Sequence, residues 1–136
     1  MNTPGPGAPP EALAGPLSAA EVNQLDGTLL PALERHHLRL LAHSLRTLQQ
    51  IQQHSADLQI PTTAAIEQWL LQQPSLEQEP LFAQHLAQQL AGAGQQLEQL
   101  ALEHGLAPLQ LGLDQLIAWA QRQADQRLAR TPPAQR

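Results

Sequence analysis

The spacing of apolar residues changes several times along the chain, and each change predicts the start or end of a helix. The longest regular pattern covers residues 28–53. At about 100° per residue, its apolar side chains fall on one face of a helix, namely Leu30, Leu33, Leu38, Leu41, Leu45, Leu48 and Ile51. His37 and Ser44 share that face, and Glu34 lies beside it. We therefore predict a long helix here that forms the centre of the fold.

A capping sequence predicts a short helix before the central one. Ser18 and Glu21 have the S-x-x-E spacing of a capping box, in which each side chain binds the backbone amide of the other residue. A first helix is therefore expected at about residues 19–26. Gly27 is expected to end it, and Thr28 is expected to cap the central helix.

A helix of about ten residues is predicted after the central one. The polar stretch 52–60 breaks the leucine pattern, and Thr62 and Thr63 are suited to capping a new helix. Pro74 is expected to stop that helix, because a proline cannot continue the backbone hydrogen bonding. The side chains predicted to face inward are Ile66, Trp69 and Leu70.

A second long helix is predicted to begin at Pro80, since proline is favoured at the first helical position. Its apolar stripe comprises Phe82, Leu86, Leu90, Ala93, Leu97, Leu100 and finally His104. Gly105 has the position of a left-handed C-cap. Gly92 and Gly94 interrupt the helix, and we expect them to mark a kink or a close helix crossing.

The last helix is predicted at residues 113–130, with Trp119 at the edge of its apolar stripe. Arg122, Arg127 and Arg130 lie toward its C-terminal end, where positive charge suits the helix dipole. The side chains expected to face inward are Leu113, Leu116, Ile117, Ala120, Ala124 and Leu128.

These elements predict an all-α fold, a four- or five-helix bundle with two long helices and disordered termini. The bundle is expected at residues 17–130, between a Pro- and Gly-rich disordered arm at residues 1–16 and a disordered tail at 131–136. Composition agrees, because the chain has 27 leucines, 22 glutamines and only three aromatic Phe or Trp residues. Leucine and glutamine favour helices, whereas strands prefer β-branched and aromatic residues.

Charge and cysteine content exclude several classes of function. The net charge is −5 and lysine is absent, which disfavours broad binding to nucleic acid or anionic membranes. The chain has no cysteine, so it cannot form a disulfide, a thiolate nucleophile or a cysteine-based zinc site. No apolar run is long enough to span a membrane, and no secretory signal is recognisable. We therefore expect a cytoplasmic protein.

Two segments resemble known proteins. LERHHLRLLAHSLRTL at residues 33–48 and LAPLQLGLDQLIAWA at residues 106–120 are similar to segments of small all-α cyanobacterial proteins without an assigned activity. The resemblance covers under a quarter of the chain. It implies a helical fold and transfers no functional residues.

The strongest candidate for a binding surface is the side of the central helix opposite its leucines. We call it the basic face, and it consists of Arg35, His36, Arg39, His43 and Arg46. A row of arginines on a helix can bind carboxylates or phosphates. The alternatives are a protein partner, self-association, nucleic acid, or a solvated face that pairs with acidic residues of neighbouring helices.

Candidate metal and catalytic chemistry is sparse. Glu34 and His37 form an E-x-x-H pair, which di-iron bundles use as metal ligands, but no second copy of the motif is present. The simpler reading is a histidine at the margin of the core. No phosphate-binding glycine loop or paired-carboxylate cluster is recognisable, so no enzyme activity, cofactor or small-molecule ligand is predicted.

Three hypotheses of function follow from these patterns. The first is a non-catalytic helical protein-interaction or assembly module, acting through surface helices and oligomeric or bound to a protein partner. The second is a helical module that binds nucleic acid through the basic face. The third is a metal-binding bundle that uses Glu34 and His37.

Overall fold

The computed structural model describes residues 17–130 as an all-α fold, as predicted. Within that range it contains five α-helices and one short 3-10 turn at Pro108–Gln110. The helices are α1 (Ala19–Asp26), α2 (Ala32–Ile51), α3 (Thr63–Leu71), α4 (Pro80–His104) and α5 (Leu113–Arg130). The predicted arm at residues 1–16 and tail at 131–136 lie outside the described residues.

The start of α1 is as the sequence predicted, whereas the start of α2 is not. Ser18 and Glu21 form the complete capping box of α1. The hydroxyl of Thr28, however, donates to the carbonyl of Leu25 at 2.8 Å, and α2 begins only after Pro31. Thr28 was therefore wrongly predicted as an N-cap, because its side chain closes the end of α1 instead.

The predicted caps of α3 and α4 are confirmed. The hydroxyl of Thr62 accepts a hydrogen bond from the backbone amide of Ala65 at 3.1 Å. Gly105 has φ = 66°, the left-handed conformation that a C-cap glycine adopts without steric cost. The amide of Leu106 then donates to the carbonyl of Ala101 at 2.9 Å, which completes the turn.

Helix α2 is the element around which the others pack. Helices α4 and α5 both lie against it, and α3 lies mainly against α4. α4 and α5 make little backbone contact with each other. All five helices contribute to a core of leucine, isoleucine and alanine, whose largest fully buried members are Leu25, Leu38, Leu45, Leu48, Ile66, Leu97, Leu111 and Leu116.

Helices α2 and α5 are antiparallel. Glu34, near the start of α2, binds Arg127, near the end of α5. At the other end, Nε2 of Gln49 donates to the carbonyl of Leu109, just before α5, at 3.0 Å. The hydrogen bonds at both ends fix how far α5 is displaced along α2.

Three apolar side chains that were predicted to face inward are exposed, and so is His104 at the end of the predicted α4 stripe. Leu33 is 48% exposed, Phe82 is 55% exposed and Leu128 is 54% exposed. The first two turns of the α4 stripe are displaced by one residue, since Ala83 and Ala87 are buried where Phe82 and Leu86 were expected. The later members of the stripe are buried as predicted, namely Leu90, Leu97 and Leu100. Alanines let α4 lie closer to its neighbours than a Phe–Leu stripe would.

The two glycines of α4 differ in their surroundings. A Cβ atom on Gly94 would lie 2.7 Å from Cγ2 of Ile60, so this glycine permits the close approach of the segment before α3. A Cβ atom on Gly92 would have no neighbour within 4 Å. Gly94 therefore marks a close approach of a connecting segment to α4, which differs from the predicted close crossing of two helices. None of the helices within residues 17–130 has the length and apolar character needed to cross a bilayer.

Candidate protein-binding surfaces

The structure places the basic face next to α1, whose carboxylates bind two of its arginines. Arg39 forms a salt bridge with Asp26. Arg46 donates to Oε2 of Glu21 through Nε at 3.1 Å and Nη2 at 2.6 Å. Arg35 instead donates to the carbonyl of Leu30 at 3.2 Å. All three guanidinium groups thus have partners within the chain.

The contact between Arg46 and Glu21 is the stronger of the two salt bridges to α1. Both side chains are about three-quarters shielded from solvent, at 24% exposure each. The hydrogen bonds from Arg46 hold the pKa of Glu21 below its ordinary value, against the opposing effect of burial. Glu21 also accepts from the amide of Ser18, so one carboxylate joins the cap of α1 to α2.

The histidines of the basic face are exposed, as are the guanidinium of Arg39 and its partner. His36 borders a shallow depression of about 500 Å³ shared with Asp26 and Arg35. Partial loss of hydration lowers the pKa of His43, which favours its neutral form near neutral pH. The face therefore carries less net positive charge than its sequence suggests.

Glu34 is buried and binds Arg127 through two hydrogen bonds. Nε of Arg127 donates to Oε2 at 2.7 Å, and Nη2 donates to Oε1 at 3.0 Å. Glu34 is 4% exposed, while the side chain of Arg127 is 39% exposed. The hydrogen bonds from Arg127 lower the pKa of Glu34, and the carboxylate is ionised in the folded protein. Its partner correspondingly has a raised pKa.

The predicted metal-ligand pair, Glu34 and His37, is arranged differently from a metal site. Both oxygens of Glu34 accept from Arg127, and His37 is exposed on the next stripe of α2. Across residues 17–130, no group of three or more His, Asp or Glu side chains is placed to hold a metal ion. Glu34 instead connects two helices.

A groove of about 800 Å³ lies between α4 and α5, with α2 as its floor. Its floor is a second stripe of α2, next to the buried one, formed by Leu33, His37, Leu40 and Ser44 with part of Leu41. The wall from α4 consists of Gln89, Gly92, Ala93 and Gln96. The wall from α5 consists of Trp119, Gln123, Arg127 and Arg130.

Sequence patterns indicated only part of this groove. His37 and Ser44 marked its stripe as polar exceptions on the leucine face, and Trp119 was expected at the edge of the core. Leu40 was not singled out, although it is 54% exposed in the groove floor. The contact between Glu34 and Arg127 had no local signal, because the two residues are 93 positions apart.

Comparison with known proteins identifies one family. Residues 17–127 match the family model described as NDH complex assembly factor CRR9. The match extends from the residue before the first helix cap to the arginine that binds Glu34, and so includes α2, α4 and all but the last three residues of α5. Searches of curated proteins and of solved structures found no match.

Proposed function

Because the chain belongs to the NDH complex assembly factor CRR9 family, we propose that it assists the assembly of an NDH complex as a non-catalytic protein-binding module. Family membership over residues 17–127 is the observation that carries this proposal. The matched region covers the helical bundle up to Arg127, which supports the bundle as the part that acts.

The exposed apolar side chains support action through surface helices. Large exposed hydrophobic side chains occur on α2, α4 and α5 and in the loops. Where such side chains form a contiguous patch, the patch is typical of a protein-binding surface. They are Leu29, Leu33, Leu40, Leu58, Leu81, Phe82, Leu102 and Leu128. Of these, Leu33 and Leu40 share one groove.

The basic face remains a candidate for a second, polar contact with the partner. Arg39 and its partner Asp26 are both about half exposed, so an acidic group of another protein could compete for that guanidinium. Changing Arg35, Arg39 and Arg46 to glutamine together should weaken partner binding if this face takes part. A matched control is Arg122→Gln, which removes an exposed arginine of α5.

The proposed function is tested by removing the protein from its native cell. We expect the amount of mature NDH complex on native gels to fall and smaller subcomplexes to accumulate. The purified mature complex should lack this protein, because an assembly factor leaves its product whereas a subunit stays. Normal amounts of complex in its absence would refute the proposal.

A further inference from the structure

We propose that the groove between α4 and α5 binds a single amphipathic α-helix of a protein partner, with its apolar side on α2 and an acidic side chain at Arg130. The inference rests on the proposed function, since it names the site and the kind of segment through which an assembly factor would hold its partner.

The arrangement of helices fits a helical occupant. α4 and α5 each lie against α2 but make little backbone contact with each other, so three helices surround an open fourth position. Leu33 and Ser44 mark the two ends of the groove floor on α2. The eleven residue steps between them span about 16 Å of helix, which equals roughly three turns of an occupant.

The groove floor is apolar where a packed helix would cover it. Leu33 and Leu40 are 48% and 54% exposed, although both lie on the helix that forms the centre of the core. Trp119 lies half-buried on the α5 wall of the groove. Leucines on one face of an occupant would cover these side chains and release the water that now surrounds them.

Gly92 has no side chain, so an occupant helix can approach the backbone of α4 closely at this position. It lies in the middle of a long helix, where glycine destabilises by about 1 kcal/mol relative to alanine. Nothing within residues 17–130 explains the missing side chain, because a Cβ atom there would meet open space. An occupant helix would use that space, with Ala93 beside it.

The charge of the groove selects an acidic occupant. Its walls carry glutamines rather than carboxylates, namely Gln89, Gln96 and Gln123, in a chain with a net charge of −5. Among the lining residues the only carboxylate is Glu34, and both of its oxygens accept from Arg127. Arg130 has no carboxylate partner within residues 17–130, so it adds positive charge at that end.

The two tryptophans allow a direct test by NMR. Each gives one indole N–H signal, and the chain has no other tryptophan. Trp119 lines the groove, whereas Trp69 packs against the core from α3. The probe is a stapled helical peptide of about 16 residues, long enough for the three turns of the groove, with leucines at i, i+4, i+7 and i+11 and glutamates on its flanks. We expect it to shift the Trp119 signal and leave that of Trp69 in place.

Variants locate the binding site and its charge preference. Leu40→Glu should raise the dissociation constant of the peptide about tenfold or more, because it puts a carboxylate on the apolar floor. Leu102→Glu is the matched control, since Leu102 is a 74% exposed leucine of α4 outside the groove. Arg130→Glu should weaken the glutamate peptide about threefold to tenfold and strengthen a peptide that carries lysines instead. Circular dichroism checks that each variant stays folded.

Three outcomes would overturn the inference. The Trp119 signal fails to move at millimolar peptide, or the lysine peptide binds the unchanged protein as tightly as the glutamate peptide. Alternatively, the Trp119 signal shifts with protein concentration alone while the sedimenting mass doubles, which would make a second copy the occupant. The proposed function stands or falls separately, because normal NDH complex levels without the protein would refute it whatever the peptide does.

Discussion

At the scale of single residues, Glu34 is the charged side chain that the core tolerates. It is the only charged or polar side chain that is buried within residues 17–130. An isolated buried carboxylate is costly, and the two hydrogen bonds from Arg127 offset that cost. The pair therefore selects one position of α5 on α2 in addition to contributing to stability.

Removing both partners of this pair should cost less stability than the sum of removing each partner alone. Arg127→Gln leaves a buried carboxylate without its guanidinium, so we expect a lower midpoint of thermal unfolding. The double variant Glu34→Gln/Arg127→Gln should lose less than the sum of the two single variants, as a double-mutant cycle would show. Arg122→Gln, at an exposed pair with Glu103, is the control and should stay within about 0.5 kcal/mol of the unchanged protein. Strict additivity would contradict the coupling.

Acid should destabilise the fold through the same carboxylate. The pKa of Glu34 in the folded protein lies below its ordinary value of 4.5, so the unfolded chain binds more protons between these two pKa values. The contribution of Glu34 is fully present above pH 4.5 and is lost as the pH falls through the folded pKa. Urea unfolding between about pH 6 and about pH 3 should show this loss. The loss of unfolding free energy should be smaller in Glu34→Gln. If the unfolding free energy of that variant depends on pH as it does in the unchanged protein, the loss belongs to other groups, of which Glu21 is the next candidate.

At the scale of helices, the sequence predicted where helices begin and end better than it predicted which side of each helix is buried. The caps at Ser18, Thr62 and Gly105 depend on neighbouring residues, and local chemistry was enough to place them. The faces of α2 and α4 depend on where other helices lie. Thus α2 has two adjacent apolar stripes, and only the packing of α4 and α5 decides that Leu38 is buried while Leu40 is exposed.

The two stripes of α2 should respond differently to truncation. Leu45 is fully buried, so Leu45→Ala should cost about 2–5 kcal/mol of unfolding free energy through lost burial and the cavity left behind. Leu40→Ala should cost less than about 1 kcal/mol, because half of its side chain already meets water. Urea unfolding measures both values, and similar losses would mean that the groove is closed in solution.

The two glycines of α4 should give opposite results. Gly92→Ala should raise the unfolding free energy by up to about 1 kcal/mol, because alanine favours the helix and meets no neighbour. Gly94→Ala should lower it by about 1–3 kcal/mol, because the added methyl group overlaps the side chain of Ile60. Adding Ile60→Ala should relieve the overlap, although it removes apolar contacts of its own. The same sign at both glycines would contradict the described packing.

At the scale of the whole molecule, α5 contributes to the core, the groove and the buried ion pair together. It covers one side of α2, supplies one wall of the groove and places Arg127 on Glu34. The sequence predicted the bounds of α5 but could not place it, because nothing local links residues 93 positions apart. For the same reason the basic face looked more available in sequence than it is, since two of its arginines, Arg39 and Arg46, bind carboxylates of α1 that only the fold brings near.

A chain that ends at residue 112 should therefore lose the groove and much of its cooperativity. Without α5, Glu34 would be a carboxylate next to exposed leucines, and Leu116, Ala120 and Ala124 would no longer cover α2. We expect a broad, less cooperative thermal transition by circular dichroism, increased binding of a hydrophobic dye, and no binding of the glutamate peptide. A sharp transition with intact peptide binding would show that α5 is dispensable.

The separation of Glu34 and Arg127 in the sequence also determines when their contact can form during synthesis of the chain. α2 is made early and α5 is made after the other four helices, so a ribosome must finish 93 further residues before the pair can close. Until then Leu33, Leu40 and the carboxylate of Glu34 lie on a surface without its second wall. Domains can begin to fold during synthesis, but this loop closes only after α5 has been made. The groove therefore gains its second wall only after α5 has been made, so a nascent chain that stops before α5 should not bind the helix that we propose for the groove.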